Sequence, residues 1–352
     1  MEQGYNYRYF NEMKCIMCTD DRYSRQIVLK NIQEQGQKKL TKSHVVVIGC
    51  GALGTTIANN LVRSGIGHVK LVDRDVVELN NLQRQNLFDE SDVGFPKTSI
   101  AVKRLERINS NIKIESVVED VNHENIEDII KNMDLVVDGT DNMLVRFLIN
   151  DACVKHEIPW IYGGAIETYG ITMNIIPNET PCFRCLIQDI PETGSLPTCD
   201  TVGVLNSIPN IIGSIQSTEA LKILLGKEIN TNILTYDVWS HNFNSIKLEK
   251  RMDCECCGKH NFEFLNKKTT DRIVMLCGSG VFQITPVKKT NISFKEMFEK
   301  LKKLGKADFQ EDFLRFGYND YHFYIFKDGR ALIYGTTDEK VAKSLYAKYI
   351  GT

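Results

Sequence analysis

The sequence predicts an α/β protein: a doubly wound, Rossmann-like, mostly parallel sheet with a small C-terminal α+β domain. We also expect Cys182, Cys185, Cys254 and Cys257 to come together as a group, the cysteine clip. The first observation is a strand, a glycine turn and a helix in succession, which run from the apolar stretch at 44–48 through Gly49–Gly54. The second is the continued alternation of strands and helices, which is typical of a parallel sheet covered on both faces. The third is a change of pattern after about residue 270 towards short strands and a hairpin.

The elements of the α/β part follow in order along the chain. The apolar run Val69–Val72 ends in Asp73 and completes a βαβ unit. This acid follows the first glycine by roughly the 20 residues expected of an acid that binds a ribose. We then expect helices at 97–108, 125–131 and 210–225, and strands at 112–118, 135–138, 158–162 and 170–176.

The C-terminal part has its own pattern. It predicts strands at 273–276 and 281–284, a helix at 294–304, a hairpin formed by 321–326 and 330–334, and a closing helix at 338–349. The Asp328-Gly329 pair between the two hairpin strands is a strong signal for a tight turn. We therefore expect an N-terminal tail at 1–20, one large domain at 21–265 and a small α+β domain at 271–352.

Composition excludes several classes of partner. The chain of 352 residues has 43 basic and 45 acidic side chains and a net charge of −2, which favours neither nucleic acid nor an anionic membrane. No apolar run approaches the roughly 18 residues of a membrane span, and the N-terminus lacks the apolar core of a secretory signal. We therefore expect a cytoplasmic protein with 11 cysteines in a reducing environment, where clustered cysteines bind metal or do chemistry more often than they form disulfides.

The glycine loop predicts a nucleotide site. The absent side chains of Gly49, Gly51 and Gly54 let backbone N–H groups approach phosphates, and the N-terminus of the following helix favours negative charge. The loop by itself fits a nicotinamide or flavin cofactor as well as ATP, and a Walker A motif is absent. It also fits a purely structural contact between a helix and a strand.

A cluster of polar residues after the glycine loop, which includes Arg84, Lys97 and Asp141, turns the interpretation towards ATP. Cations offset the charge that develops on an attacked α-phosphate and on its pyrophosphate leaving group, and a carboxylate holds magnesium. Arg84 and Lys97 suit the first task, and Asp141 suits the second. Each of the three alone is more often a solvated surface residue, so it is their joint presence after a glycine loop that carries the prediction.

At this point the sequence resembles the ThiF/MoeB/HesA family, which is similar to ubiquitin-activating enzymes. The resemblance covers roughly residues 20 to 260. The motifs that carry it are Arg22-Tyr-Ser-Arg25-Gln, GCGALG at 49–54, Asn81-Leu-Gln-Arg84-Gln, Pro96-Lys97, Thr140-Asp141-Asn142, two Cys-x-x-Cys pairs and Cys199-Asp-Thr-Val-Gly203.

The resemblance implies an activity and partners. The protein would be a homodimeric adenylyltransferase that uses MgATP to adenylate the C-terminal Gly-Gly carboxylate of a ubiquitin-like sulfur carrier and releases pyrophosphate. The layout of the whole chain resembles the longer thiazole-type adenylyltransferases of Gram-positive bacteria, which implies a carrier of the ThiS type in thiamin thiazole synthesis. The C-terminal part does not resemble the rhodanese domain that some relatives append.

The resemblance also implies roles for single residues. Asp73 resembles the ribose-binding acid, and Asn81, Arg84 and Lys97 resemble the triphosphate clamp. Asp141 resembles the magnesium-linked acid, and Arg25 resembles a finger that reaches the ATP of the neighbouring subunit. The remaining residues expected to bind the nucleotide are Gly49, Gly51, Ala52, Gly54 and Gln85.

The cysteines suggest two further sites. Cys182, Cys185, Cys254 and Cys257 have the spacing of four thiolate ligands of a structural zinc ion, although Cys256, or Cys15 with Cys18, could exchange with them. Cys199 follows a polar stretch with Gly194, Ser195 and Pro197, the composition of a mobile loop. Its thiolate could attack an acyl-adenylate, or it could be a plain loop cysteine.

Other functions stay open at this stage. A molybdopterin carrier, or a ribosomal peptide as in microcin-type enzymes, would keep the chemistry and change the partner, and recovery of the bound carrier would separate these. A nicotinamide-dependent oxidoreductase would share the loop and Asp73, but NAD should then outcompete ATP. A scaffold that only binds nucleotide should show no pyrophosphate exchange with any carrier.

Overall fold

A computed structural model describes residues 22–191, 197–266, 273–276, 281–286, 290–310 and 312–351. The expected N-terminal tail with Cys15 and Cys18 lies outside the described residues, as do Gly194, Ser195 and Cys277. Among the helices of the described ranges, none contains a window of 18 residues apolar enough to lie across a bilayer.

An eight-stranded sheet forms the larger part of the molecule. Its strand order is β3-β2-β1-β4-β5-β6-β7-β8, where β1 to β5 run parallel and β6 to β8 are antiparallel. The order of the parallel part is that of a doubly wound fold, so the predicted fold class is confirmed. The strands are β1 His44–Ile48, β2 His68–Val72, β3 Lys113–Val117, β4 Leu135–Asp138, β5 Trp160–Ile166, β6 Tyr169–Ile175, β7 Ile233–Asp237 and β8 Asn242–Ile246.

Helices cover this sheet and bury its apolar strands. Two clusters of buried side chains meet its faces, one around Val46 and Phe147 and the other around Val47 and Ile57. The helices are α1 Ser24–Ile27, α2 Gln33–Leu40, α3 Ala52–Ser64, α4 Lys97–Ile108, α5 Ile126–Ile130, α6 Met143–Lys155, α7 Phe183–Leu186, α8 Cys199–Val202, α9 Ser207–Leu225 and α10 Glu263–Asn266. Because apolar residues are buried on both faces, the central strands appear in the sequence as uninterrupted apolar runs.

Some elements differ from those the sequence predicts. The helix expected from 210 begins at Ser207, because Pro209 lies in the first turn, where an N–H has no intrahelical partner to lose. The strand expected at 158–162 runs from Trp160 to Ile166. β7 and β8 are not predicted at all, because β8 lies exposed at the sheet edge and has no buried apolar face.

A second, six-stranded sheet follows in the C-terminal part. Its order is β11-β12-β13-β14-β10-β9, with antiparallel pairing throughout. The strands are β9 Ile273–Leu276, β10 Val281–Ile284, β11 Lys306–Phe309, β12 Phe313–Tyr318, β13 Tyr321–Phe326 and β14 Ala331–Tyr334, and the helices are α11 Phe294–Leu301 and α12 Glu339–Tyr349. The predicted hairpin is formed by β13 and β14.

The two sheets meet through an apolar seam. Val76, which follows β2, is buried in one cluster with Val281, Phe313, Phe326 and Leu332 of the second sheet. Phe95 packs edge-on against Phe313 with ring centroids 6.0 Å apart. The second sheet therefore lies directly against the segment between β2 and α4.

Two glycines of the loop after β1 pack backbone against backbone with the glycine that follows β4. Gly49 has a φ of +92°, and a Cβ built on Gly139 would lie 2.6 Å from the Gly49 oxygen and 2.9 Å from the Gly54 Cα. A Cβ on Gly54 would overlap the Gly49 carbonyl. Only glycine fits at these three positions, so β1, α3 and β4 converge more closely than side chains would allow.

A matched pair of glycine substitutions tests this contact. Gly54→Ala should lower the free energy of unfolding by about 2–3 kcal/mol because the backbone it meets cannot move aside. Gly51→Ala should change it by less than about 1 kcal/mol, since its Cβ would meet nothing nearer than 3.9 Å. Thermal unfolding of both variants beside the unsubstituted protein measures the difference, and equal midpoints for the two variants would contradict the contact.

Candidate nucleotide site and cysteine clip

The N-terminus of α3 opens at the glycine contact. The N-cap residue is Gly51, which offers no side chain to the first-turn amides, and the first intrahelical bond joins the Thr55 N–H to the Gly51 carbonyl at 3.0 Å. Ala52 begins the helix, so the space in front of it is bounded by backbone. Uncapped N–H groups at the positive end of a 13-residue helix are a ready site for a phosphate.

Asp73 braces the loop from the end of β2. One oxygen of its carboxylate accepts the Cys50 N–H at 2.6 Å, and the other accepts the Asp75 N–H at 2.8 Å. Burial raises the pKa of Asp73, while the neighbouring Lys97 ammonium opposes this shift. The acid expected to bind the ribose is therefore attached to the loop expected to bind phosphate.

Lys97 lies buried at the first position of α4 and faces acids from two strand ends. Its Nζ is 3.3 Å from a carboxylate oxygen of Asp75, and its backbone N–H donates to the Asp75 carbonyl at 3.0 Å. Burial alone lowers the pKa of Lys97, but the charges of Asp75, Asp73 and Asp141 outweigh it and raise the pKa above its usual value. Lys97 is thus a buried cation, and Asp141, exposed after β4, lies within reach of its charge.

The segment 79–85 supplies the other expected contacts. Asn81 is buried and its amide oxygen accepts the Glu78 N–H at 3.2 Å. Gln85 is buried with its Nε2 3.9 Å from a Cβ built on Gly51, so it reaches the glycine loop. Arg84 is partly exposed, and its guanidinium donates to the Asn80 carbonyl at 2.9 Å on its own turn. The structure thus brings Gln85 to the loop and leaves the Arg84 side chain folded on its own segment.

Sequence reasoning missed a buried ion pair that fixes the β4–α6 turn. Arg146 Nε donates to the Asp138 carboxylate at 3.0 Å, and another Arg146 nitrogen donates to the Gly163 carbonyl at 3.0 Å. The other Asp138 oxygen accepts the Thr140 N–H at 2.8 Å, which sets the backbone just before Asp141. An acid closing an apolar strand, followed eight positions later by an arginine in an apolar helix, was the available signal.

Cys199 and Arg25 lie in two short helices, α8 and α1. Cys199 begins the short helix α8, is partly exposed, and its Sγ lies 3.5 Å from the Ala165 carbonyl oxygen near the end of β5. The bond from the Glu167 N–H to the Gly203 carbonyl, 2.9 Å long, holds the end of α8 at the same edge of the sheet. Arg25 is exposed in α1.

The two Cys-x-x-Cys pairs come together as one buried group. The Cys182 and Cys254 sulfurs are 3.6 Å apart, the Cys185 and Cys257 sulfurs are 3.5 Å apart, and all four lie within 4.8 Å of one another. Four thiolates around a tetrahedral zinc, each at about 2.3 Å, stand about 3.8 Å apart, so the group fits such an ion. A metal here would join the segment after β6 to the segment after β8.

Cys256 has a different environment from the clip cysteines. It is fully buried, and the Asn150 side-chain amide donates to its sulfur at 3.1 Å. The ligand group found among the described residues consists of the other four cysteines. The geometry thus favours the four cysteines of the two Cys-x-x-Cys pairs.

Comparison with known proteins places this arrangement in a family. The model of the ThiF family matches residues 23–257. The sulfur carrier protein ThiS adenylyltransferase of Bacillus subtilis (strain 168) is 38% identical over 335 residues, which cover 94% of this chain and 99% of the Bacillus protein. The SAMP-activating enzyme E1 of Haloferax volcanii is 38% identical over 241 residues, which cover 68% of this chain and 89% of that enzyme.

Solved structures show the same fold. Escherichia coli MccB crystallised with ATP superposes with a TM-score of 0.60 at 24% identity, over 68% of this chain and 75% of MccB. The family that the sequence motifs resemble is therefore confirmed by the family model and by relatives at 38% identity. The chain belongs to the ThiF family.

Proposed function

We propose that this protein transfers the AMP of ATP to the C-terminal carboxylate of a ubiquitin-like sulfur carrier of the ThiS type, in thiamin thiazole synthesis. The observation that carries the proposal is the similarity to the Bacillus ThiS adenylyltransferase over 94% of this chain, a span that includes the second sheet. Matches to the catalytic fold alone would end near residue 257.

The geometry around α3 supports this chemistry. The carrier carboxylate attacks the α-phosphorus, a new phosphorus–oxygen bond forms, and the bond to the bridging oxygen breaks to release pyrophosphate. The uncapped α3 amides bind phosphate oxygens, Asp73 binds the ribose, and Lys97 offsets the charge that develops on the leaving group. Asn81, Gln85 and Arg84 complete the binding wall from the segment between β2 and α4.

Asp141 would hold magnesium at the exposed end of β4. Carboxylate oxygens are ligands that Mg²⁺ prefers, and Mg²⁺ is commonly bound by one or two carboxylates together with substrate phosphates. Bound there, the ion would neutralise phosphate charge. The Asp138–Arg146 pair holds the backbone just before Asp141. The Asp141 carboxylate can therefore face the phosphates because its backbone is fixed.

We propose that a second copy of the chain covers the surface around α1. Arg25 is exposed there, and the neighbouring Val28 and Leu29 are 74% and 53% exposed, an apolar surface that a partner would cover. In a homodimer, Arg25 of the partner subunit would reach the ATP of this one. We place the dimer in the cytoplasm, where thiols stay reduced and cysteines remain available to a metal.

Cys199 has a role after adenylation rather than in it. Its thiolate could attack the acyl-adenylate carbonyl, form a thioester with the carrier and release AMP. Adenylation itself needs orientation and charge stabilisation and no protein nucleophile.

The SAMP-activating enzyme E1 of Haloferax favours a second candidate carrier. Its identity to this chain equals that of the Bacillus protein, but the aligned span is shorter. A carrier from another pathway would use the same site. Capture of carriers from the native host on the Asp141→Ala protein, followed by mass spectrometry, would identify the one that binds.

ATP–pyrophosphate exchange tests the proposed function. Exchange should require the carrier, and a carrier that lacks its terminal Gly-Gly should give none. The Cys199→Ser enzyme should exchange within about twofold of the unsubstituted enzyme because the phosphorus chemistry needs no thiol. Exchange that is equal with intact and truncated carrier would contradict the proposal.

Asp141→Ala tests the assigned magnesium ligand. Loss of the carboxylate should lower the exchange rate about 100-fold or more at saturating MgATP, since a charge that stabilises the transition state is removed. Glu228→Ala is the matched control, because Glu228 is exposed beyond the end of α9 and lies outside the site. Full exchange by the Asp141→Ala enzyme would refute the role of Asp141.

We also propose that the cysteine clip holds one structural Zn²⁺. The Cys182→Ser protein should lose its zinc and melt about 10 °C or more below the unsubstituted protein, because metal binding contributes directly to folding. The Cys256→Ser protein should keep one zinc per chain, since the Cys256 sulfur accepts a hydrogen bond from the Asn150 side-chain amide and is not one of the four clustered sulfurs. Elemental analysis gives the zinc content, and a Cys182→Ser protein with full zinc would rule out the assignment.

A further inference from the structure

A buried arginine of the second sheet contacts the backbone between the two acids of the nucleotide site. Arg330 lies before β14, and its side chain is 0% exposed. One terminal nitrogen donates to the Arg74 carbonyl at 2.8 Å, and the guanidinium lies 3.7 Å from the centroid of the Phe326 ring. Arg74 stands between Asp73, which holds the glycine loop, and Asp75, which holds Lys97.

The same stretch is clamped a second time through its side chain. Arg74 donates to one oxygen of Asp120 at 3.0 Å, and Gln283 of β10 donates to the other oxygen at 2.6 Å. The backbone and the side chain of Arg74 are thus both held, directly or through Asp120, by residues of the second sheet.

Stability alone does not explain Arg330. Its Nε and its second terminal nitrogen donate no hydrogen bond within the described residues, although the Nε lies 3.9 Å from an Asp328 carboxylate oxygen in a long ion pair. In the same part of the chain neither Asp75 Oδ1 nor Gln283 Oε1 accepts a hydrogen bond. A buried guanidinium with unused donors opposes folding, and an apolar side chain of similar volume often stabilises a core as well or better. Burial lowers the pKa of Arg330, which is the electrostatic sign of this cost.

The two acids on either side of Arg74 must keep fixed positions for the nucleotide site to work. Asp73 and Asp75 flank Arg74 in the chain, and both lie near Lys97. A change in the backbone at Arg74 would move both carboxylates together, and a displacement of about 1 Å at a reacting group can lower a rate by roughly 100-fold.

We propose that Arg330 is a positioning residue of the nucleotide site: by holding the Arg74 carbonyl it fixes Asp73 and Asp75, and through Asp75 it orients Lys97 towards the triphosphate. The second sheet is then a wall of the site rather than a separate appendage. The identity of the nucleotide in this inference rests on the proposed function.

The test compares Arg330→Met with Arg330→Lys and with Lys348→Met. Methionine keeps the apolar packing over Phe326 and removes the donor, whereas lysine keeps one donor and the charge. Lys348 is the control position: it lies over the Tyr349 ring, 4.9 Å from its centroid, and makes no contact with the apolar seam among the described residues. The Kd of MgATP is measured by calorimetry without carrier, and exchange kinetics give KM and kcat.

Arg330→Met should raise the Kd and KM of MgATP about tenfold and lower kcat, with a thermal midpoint close to that of the unsubstituted enzyme. Arg330→Lys should restore most of the affinity, and Lys348→Met should change neither Kd nor kcat. A Kd and a kcat for Arg330→Met within twofold of the control would overturn the proposal. A lowered thermal midpoint with unchanged Kd and kcat would do the same, because Arg330 would then be only structural.

A second variant decides the matter if Arg330→Met does not fold. Gln283→Leu removes only the hydrogen bond that holds Asp120. It should therefore raise the Kd of MgATP and speed amide hydrogen exchange at 74–97 but not in β4. An unchanged Kd and unchanged exchange rates at 74–97 would overturn the inference. A failure of carrier-dependent exchange in the unsubstituted enzyme would instead refute the proposed function, since the Kd is measured without carrier.

Discussion

The contact among Gly49, Gly54 and Gly139 is the constraint on which the rest of the site depends. Any side chain at these positions would push β1, α3 and β4 apart, since the distances from a built Cβ to backbone fall below those of real contacts. The α3 N-terminus opens at this contact, because Gly51 offers it no side chain. Cys50, between two of the loop glycines, donates its N–H to Asp73, and Asp141 follows Gly139 by two residues, so both acids are tied to the contact through the backbone. A backbone contact therefore places the charged residues.

Charge is then concentrated behind that opening at some energetic cost. Asp73 and Asp75 are half-buried around the buried Lys97, and Asp138 with Arg146 forms a second, buried pair at the end of β4. Buried ions rarely stabilise a fold more than apolar side chains of similar size. These charged residues gather at the carboxyl ends of the parallel strands, which indicates that they serve the site rather than stability. The second sheet adds Arg330 to the same region, which connects an otherwise separate apolar core to the nucleotide site.

Local patterns predicted the parallel sheet, the glycine loop and the cysteine group, because each is a property of a few neighbouring residues with fixed spacing. Gly139 was not singled out, since its partners Gly49 and Gly54 lie more than 80 positions earlier in the chain. The Arg330 contact joins residues 256 positions apart and has no sequence signal. Strand β8 was missed because an exposed edge strand has no apolar alternation. Arg84 donates to the Asn80 carbonyl on its own turn, a local side-chain orientation that no spacing pattern encodes, so its role at the phosphates remains a prediction.

The central claim is that the α3 N-terminus binds a triphosphate whose α-phosphorus faces an incoming carboxylate. A crystal structure of the enzyme with carrier and a non-hydrolysable MgATP analogue tests it most directly. The account predicts phosphate oxygens on the amides at 51–54, the ribose on Asp73, the metal on Asp141, and the Lys97 Nζ beside the phosphates. A nucleotide bound elsewhere, or Arg84 and Lys97 both turned away from its phosphates, would contradict the account.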